Sequence, residues 1–312
     1  MRVFLAGATG VIGRRLLPAL IADGHEVIGM TRSPKRTEQL RAAGAEPVVA
    51  DAFDAPGLAK VVADARPDAV VHQLTSIPPR IDPRKMERDF AENDRLRSEG
   101  TANLVAAANA AGVTRLVAQS VAFFYAPGSP GTVHDEHDPL LSEDQAQGPV
   151  KRSTKALAAL ENTVLDAGGT VLRYGYFYGP GSAIAREGST GEEVAKRRLP
   201  VVGSGAGVWS FIHVDDAAAA TVAALRAGKP GVFNVVDDEP ARVADWIPAL
   251  AQALGARKPM KVPAWLARLL AGSYGVAIMT EAQGATNARA KAELDWSPKY
   301  ASWREGFRTA LG

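Results

Sequence analysis

Apolar and polar positions follow two rhythms along this chain. Seven short apolar runs closed by turn residues read as buried strands: "RVFLAG", "HEVIGMTR", "EPVVAD", "PDAVVHQL", "TRLVAQS", "GTVLRYG" and "GVFNVVD". Segments with helical spacing lie between them. "VIGRRLLPALIADG" predicts a helix that ends on Gly24, and "PKRTEQLRAAG" predicts one after the second strand. Two more are expected at about 95–111 and 154–167. Strands alternating with helices predict an α/β fold with a doubly wound parallel sheet covered on both faces, its ligand at the carboxyl ends of the strands. The rhythm degrades after Gly179, where the chain becomes rich in loops, glycine and proline. Residues 1–178 with a return segment 211–237 are therefore expected to form the sheet domain. Residues 179–210 and 238–312 are expected to form a smaller substrate-covering domain.

Composition narrows the classes. The 312 residues are 46% hydrophobic and 22% charged, ordinary for a globular chain. Lys+Arg 36 against Asp+Glu 34 leaves a formal charge of +2, too balanced for nucleic acid or an anionic membrane to be the expected partner. A small-molecule substrate is expected instead. There is no cysteine, which excludes disulfides, thiolate metal sites and a cysteine nucleophile. "MRVFLAGATG" enters a strand directly, without a signal-like region, so a cytoplasmic location is the expectation.

"GATGVIG" places Gly7, Gly10 and Gly13 between the first strand and the first helix. Gly7 permits a tight turn, Gly10 lets the backbone approach a pyrophosphate, and Gly13 allows close helix–sheet packing. The helix start offers free N–H groups and a positive dipole end to phosphate. The second strand ends "GMTRSPKR", with Thr31, Arg32, Lys35 and Arg36 where an NAD site usually has a carboxylate. Nothing there repels a 2′-phosphate, and a guanidinium can pair with one, so NADP(H) is the expected cofactor and NAD the alternative. Arg32 can equally stack on adenine or point to solvent. Asp51 follows the third strand, where it can meet the adenine amino group; Asp54 reads as a helix cap.

These segments, with "EGTANLVAAANAAGVTRLVAQS", "VLRYGYFYGPG", "FIHVDDAAAA", "FNVVDDEP" and "KAELDWSPKY", resemble the extended short-chain dehydrogenase/reductases, the group of NAD-dependent epimerases and dehydratases. The resemblance spans nearly the whole length. It implies a Rossmann fold, a C-terminal substrate domain and a homodimer. It also implies cofactor contacts from Gly7, Thr9, Gly10, Val11, Ile12 and Gly13, from Thr31, Arg32 and Arg36, from Asp51 and Ala52, from Gln73 and Leu74, and from Tyr174, with Tyr178 near the nicotinamide.

The resemblance fails at the chemistry. The family uses a tyrosine as acid, a lysine four residues later that lowers the tyrosine pKa and binds the ribose, a serine or threonine, and a supporting asparagine. None of the six tyrosines here has a lysine four residues on. Placing Lys155 at the lysine position puts Lys151 at the tyrosine; anchoring on Glu161 puts Ser153 and Leu157 at the two sites. "KRSTK" also reads as a plain basic helix start in water. Arg97 stands at the asparagine position and Val121 at the serine position, with Ser120 one residue earlier. Ser120 either points to the pocket or caps a turn.

Candidate replacements are Tyr176, as a substrate-facing acid or hydrogen-bond donor, Arg97, as an electrostatic stabiliser of an enolate or carboxylate, and Ser120 and Lys155. Both Tyr176 and Tyr178 can instead be packing. Trp209, Phe123 and Phe124 suggest an apolar or aromatic-bearing pocket rather than a diphosphate clamp. His134, Asp135, Glu136 and His137 read as a solvated lid loop, and no metal site is expected. The expected function is an NADP(H)-dependent oxidoreductase that moves hydride to or from a small, largely apolar carbonyl or enone through a non-standard proton relay. Alternatives are an epimerase, isomerase or dehydratase that recycles a bound dinucleotide, and a non-catalytic NADP sensor.

Overall fold

The computed structural model describes residues 1–82, 85–129, 131–146, 148 and 150–311. All seven apolar runs become strands of one sheet: β1 (Arg2–Ala6), β2 (Glu26–Thr31), β3 (Glu46–Val49), β4 (Ala69–His72), β5 (Arg115–Val121), β6 (Thr170–Tyr174) and β7 (Gly231–Val235). The order is β7-β6-β5-β4-β1-β2-β3, with every pairing parallel. The direction of winding reverses between β1 and β4, and at such a point the crevice above the strand ends receives a ligand. Phe4 pairs with Ile28 on one side and Val70 on the other.

Alternation along β1 explains both layers. Val3 and Leu5 face one cluster, packed with Leu16, Leu20, Ala217 and Leu225. Phe4 and Ala6 face the other, packed with Leu58, Leu104, Leu160 and Val164. Each such buried side chain contributes about 1.5–3 kcal/mol, so a one-residue slip of register is strongly disfavoured. The first layer is made by helices Gly13–Ala22 and Val214–Ala227, joined by Ala290, Leu294 and Trp296 from the tail. The second is made by Ala55–Ala65, Thr101–Ala110 and Val150–Asp166. Asp54 caps Ala55–Ala65 by accepting the Gly57 N–H at 3.1 Å, and Gly24 follows the first helix with φ 80°, both as the sequence predicts.

A third core gathers Tyr178, Trp209, Phe211, Trp246, Trp303 and Phe307. It is built largely from the loop-rich segments after Gly179, together with helices Val243–Ala253 and Ala264–Thr280, the latter broken at Gly272 (φ 75°). Two local features depart from periodicity. The helix expected to start near 154 already runs from Val150, and the long helix before β5 passes through a π turn at Leu96–Gly100.

Candidate functional site

The turn after β1 is built for close approach. Gly7 has φ 92°, and a Cβ there would lie 2.6 Å from the Gln73 carbonyl oxygen. A Cβ on Gly13 would lie 2.1 Å from the Gly7 carbonyl oxygen, so the helix can start against the strand only with glycine. Gly10 N–H donates to Gly7 O at 3.0 Å and closes the turn. Thr9 and Gly10 reach the surface, while Val11 and Ile12 pack beneath them. No acidic residue occupies the first helical turn. Arg36 crosses the mouth, its Nη1 donating to Thr9 Oγ1 at 3.1 Å. Arg32 pairs with Glu92 at 2.8 Å, and Thr31 is buried, its Oγ1 accepting the Ser33 N–H. This cradle, with a dipole end and a basic side chain bonded across it, fits a phosphate-bearing dinucleotide in shape and charge.

The other expected contacts line the same edge to different degrees. Asp51 turns back on itself, accepting the Phe53 N–H at 2.9 Å, with Ala52 buried beside it. Gln73 and Tyr174 are bonded to one another inside: Gln73 Nε2 donates to the phenol at 3.1 Å, and the phenol meets Thr221 Oγ1 at 2.6 Å. Burial pushes the Tyr174 phenol up to about 12, so it stays protonated. Leu74 N–H donates to His72 Nδ1, which leaves the His72 Nε2 proton for Thr101 Oγ1 at 2.8 Å.

Helix Val150–Asp166 turns one face inward and the other to solvent. Ser153, Thr154, Leu157, Leu160 and Glu161 are buried, whereas Lys151, Arg152 and Lys155 are exposed. Of the two pairs that spacing offered, Lys151 and Lys155 face solvent, and Ser153 and Leu157 face inward on the same side as Glu161. Lys155 is 71% exposed and sits 3.6 Å from Glu143, so the structure does not bring it to the face that Ser120 and Glu161 share. Ser120 is buried and donates to Glu161 Oε1 at 2.6 Å. Glu161 also receives both forks of Arg173, at 3.0 and 2.7 Å. Arg173 continues to the Tyr125 phenol at 3.0 Å, and that phenol donates to Asn234 at 2.7 Å. Ser120 therefore belongs to a buried network that ties β5, β6 and β7 together.

Around the π turn the polar groups are less complete. Ser153 Oγ donates to Asp94 Oδ2 at 3.1 Å, and Arg152 reaches the same oxygen at 3.2 Å. Asn93 Nδ2, Asp94 Oδ1, Arg97 Nε and Thr154 Oγ1 are enclosed without a hydrogen-bond partner among the described residues. Asn93 and Asp94 carry no sequence signal. In "AENDRLRSEG" they read as polar helix surface, and the π turn that accompanies their burial is invisible to periodicity.

Tyr176 stands in a file of rings: Phe123 stacks on it at 4.2 Å, Trp209 at 4.0 Å, and Trp246 follows Trp209 at 4.8 Å. Burial, with a smaller contribution from Tyr274, holds its phenol well above the usual tyrosine range. A phenol in this state donates a hydrogen bond but does not act as a base. Phe124 is tilted against Phe123 at 5.8 Å. Tyr178 is fully buried in the third core, and His213 packs between it and Tyr300 at 5.2 and 4.2 Å. His134 is held by Asp138 at 2.9 Å and Gln283 at 3.1 Å, and Glu136 accepts the Asn234 N–H.

Known proteins place this arrangement. The family model described as NAD dependent epimerase/dehydratase matches residues 3–235. A Streptomyces protein, 3-diazoavenalumate denitrifying reductase, is 47% identical over 98% of this chain and 99% of its own length. Among solved structures, the Thermus thermophilus UDP-glucose 4-epimerase with NAD superposes at TM-score 0.76, with 24% identity over 100% of this chain and 98% of that one. Human epimerase family protein SDR39U1 with NADPH superposes at 0.75, with 22% identity over 100% and 99%. No described helix is long and apolar enough to cross a membrane.

Proposed function

This chain belongs to the NAD dependent epimerase/dehydratase family, and from that premise we propose that it is an NADP(H)-dependent reductase working without a protein acid in the usual place. The observation that carries the reading is the inward pair Ser153 and Leu157, beside a phosphate turn complete in every glycine. Bound NADP(H) supplies hydride, which requires only placement. The protein's part is to hold and shield. The Gly7–Gly13 turn and the helix start cradle the pyrophosphate, and Arg36 meets the 2′-phosphate, joined by Arg32 when it leaves Glu92. The stacked file of Phe123, Tyr176 and Trp209 forms an apolar, water-poor surface suited to a largely apolar electrophile.

The absent acid favours one electrophile over another. A ketone or enone needs one proton for every hydride. Exchange of dinitrogen for hydride on a diazonium-type carbon needs none: the C–N bond electrons leave with N2, and the hydride pair forms the new C–H bond. The Streptomyces relative is named for a diazo carboxylate and for loss of nitrogen. We therefore place an aromatic diazo carboxylate first and a conjugated carbonyl second, the latter supported by the apolar ring wall. The test incubates the protein and NADPH with an aromatic diazo carboxylate, a conjugated ketone or a nucleotide sugar. The expected result is NADPH oxidation at 340 nm matched mole for mole by N2. Turnover of the ketone alone, or of the sugar with no net absorbance change, would overturn the reading.

A further inference from the structure

Arg97 is the least satisfied charge in the described interior. It is 5% exposed, no hydrogen bond or ion pair within 4.0 Å engages its guanidinium among the described residues, and its Nε is fully enclosed. Burial lowers its pKa, with Asp94 and Glu161 pulling the other way from beyond contact distance. A buried cation without an acceptor is strongly disfavoured, so the site is complete only when something brings oxygen to it.

Its place in the fold says what that is. Arg97 lies one turn before Thr101 on the same helix face, and Thr101 bonds His72, the last residue of β4. The Arg97 charge is felt by His72, where it adds to burial in pushing the imidazole down to about 4. It is felt also by Glu161, which is bonded to Ser120 near the end of β5. The guanidinium thus sits by the carboxyl ends of β4 and β5. A dinucleotide whose pyrophosphate lies on the β1 turn and whose adenine half lies over β2 and β3 must lay its nicotinamide half over β4 and β5. The rings of Phe123, Tyr176 and Trp209 belong to loops and short strands outside the seven-stranded sheet.

We propose that Arg97 is a cofactor-binding residue whose guanidinium donates to the nicotinamide-ribose hydroxyls, entering from the helix of the π turn rather than from helix Val150–Asp166. The inference rests on dinucleotide binding by the Gly7–Gly13 turn and is independent of the substrate. Kd is read from the fluorescence of bound NADPH, and in parallel for 2′,5′-ADP, which lacks the nicotinamide ribose. Arg97→Met should weaken NADPH by about tenfold or more and leave 2′,5′-ADP within about twofold. Arg97→Lys, which keeps the charge without the fork, should fall between. The melting temperature of apo Arg97→Met should not drop, since the guanidinium has no hydrogen-bonded partner among the described residues to lose. Equal weakening of both ligands, or unchanged NADPH affinity with a raised substrate KM, would overturn the assignment. A destabilised apo protein would do the same, because it would make Arg97 structural.

Discussion

At Gly13 the margin is 2.1 Å between a hypothetical Cβ and the Gly7 carbonyl oxygen, and that distance alone reserves the position for glycine. The same kind of argument assigns Tyr176. Rings at 4.2 and 4.0 Å enclose it, and desolvation keeps its proton on. In the proposed reaction it is a wall rather than a base. A reaction that needs no proton predicts that Tyr176→Phe keeps kcat within about threefold; a general acid would cost about 100-fold or more, and steady-state kinetics separate the two outcomes. Lys155 shows the limit of motif spacing. It sits at a position that spacing alone allows for the family's lysine, yet its ammonium lies in water beside Glu143.

Among elements, helix Val150–Asp166 and the π turn Leu96–Gly100 form the join on which the site depends. Glu161 fastens that helix to β5 through Ser120 and to β6 through Arg173. Removing one partner from so buried a pair costs about 3–5 kcal/mol, so Glu161→Gln should be strongly destabilising in a thermal melt. His72 reports on the same join. Its imidazole is pushed down to about 4, first by burial and then by Arg97, so the folded protein holds it neutral. Between pH 6.5 and 4 the unfolded chain takes up a proton that the folded chain refuses, and stability is lost as pH falls through that window. Unfolding free energies of wild type and His72→Gln, from urea titrations, should therefore converge by on the order of 3 kcal/mol between pH 7 and 4. A difference that stays constant with pH would show that His72 is not held neutral.

For the whole molecule, cofactor binding is also a stability term. NADPH at 100 times its Kd adds about 2.7 kcal/mol, which raises the melting temperature by roughly 5 °C in a chain of this size. NADH at the same concentration should add less, and Arg36→Ala should bring the two shifts together; equal shifts in wild type would remove the preference for NADP(H). Much of this architecture was legible from the amino acids alone. Strand runs of four to eight residues, helical spacing and the Gly7–Gly10–Gly13 turn are local patterns, and local patterns set secondary structure, sheet class and the close turn after β1 because each is enforced by near neighbours in the chain. The face that corresponds to the family's proton site was not legible, since Asp94, Ser120, Ser153 and Tyr176 come from separate segments whose facing is settled by burial. Periodicity left open whether Lys155 or Leu157 turns inward, because both sit on one basic, amphipathic stretch. Packing of Leu157, Leu160 and Glu161 against the sheet decided it. Only the tertiary structure leaves Arg97 buried without an acceptor among the described residues, because a partner's absence is a property of three-dimensional neighbours that no sequence window contains.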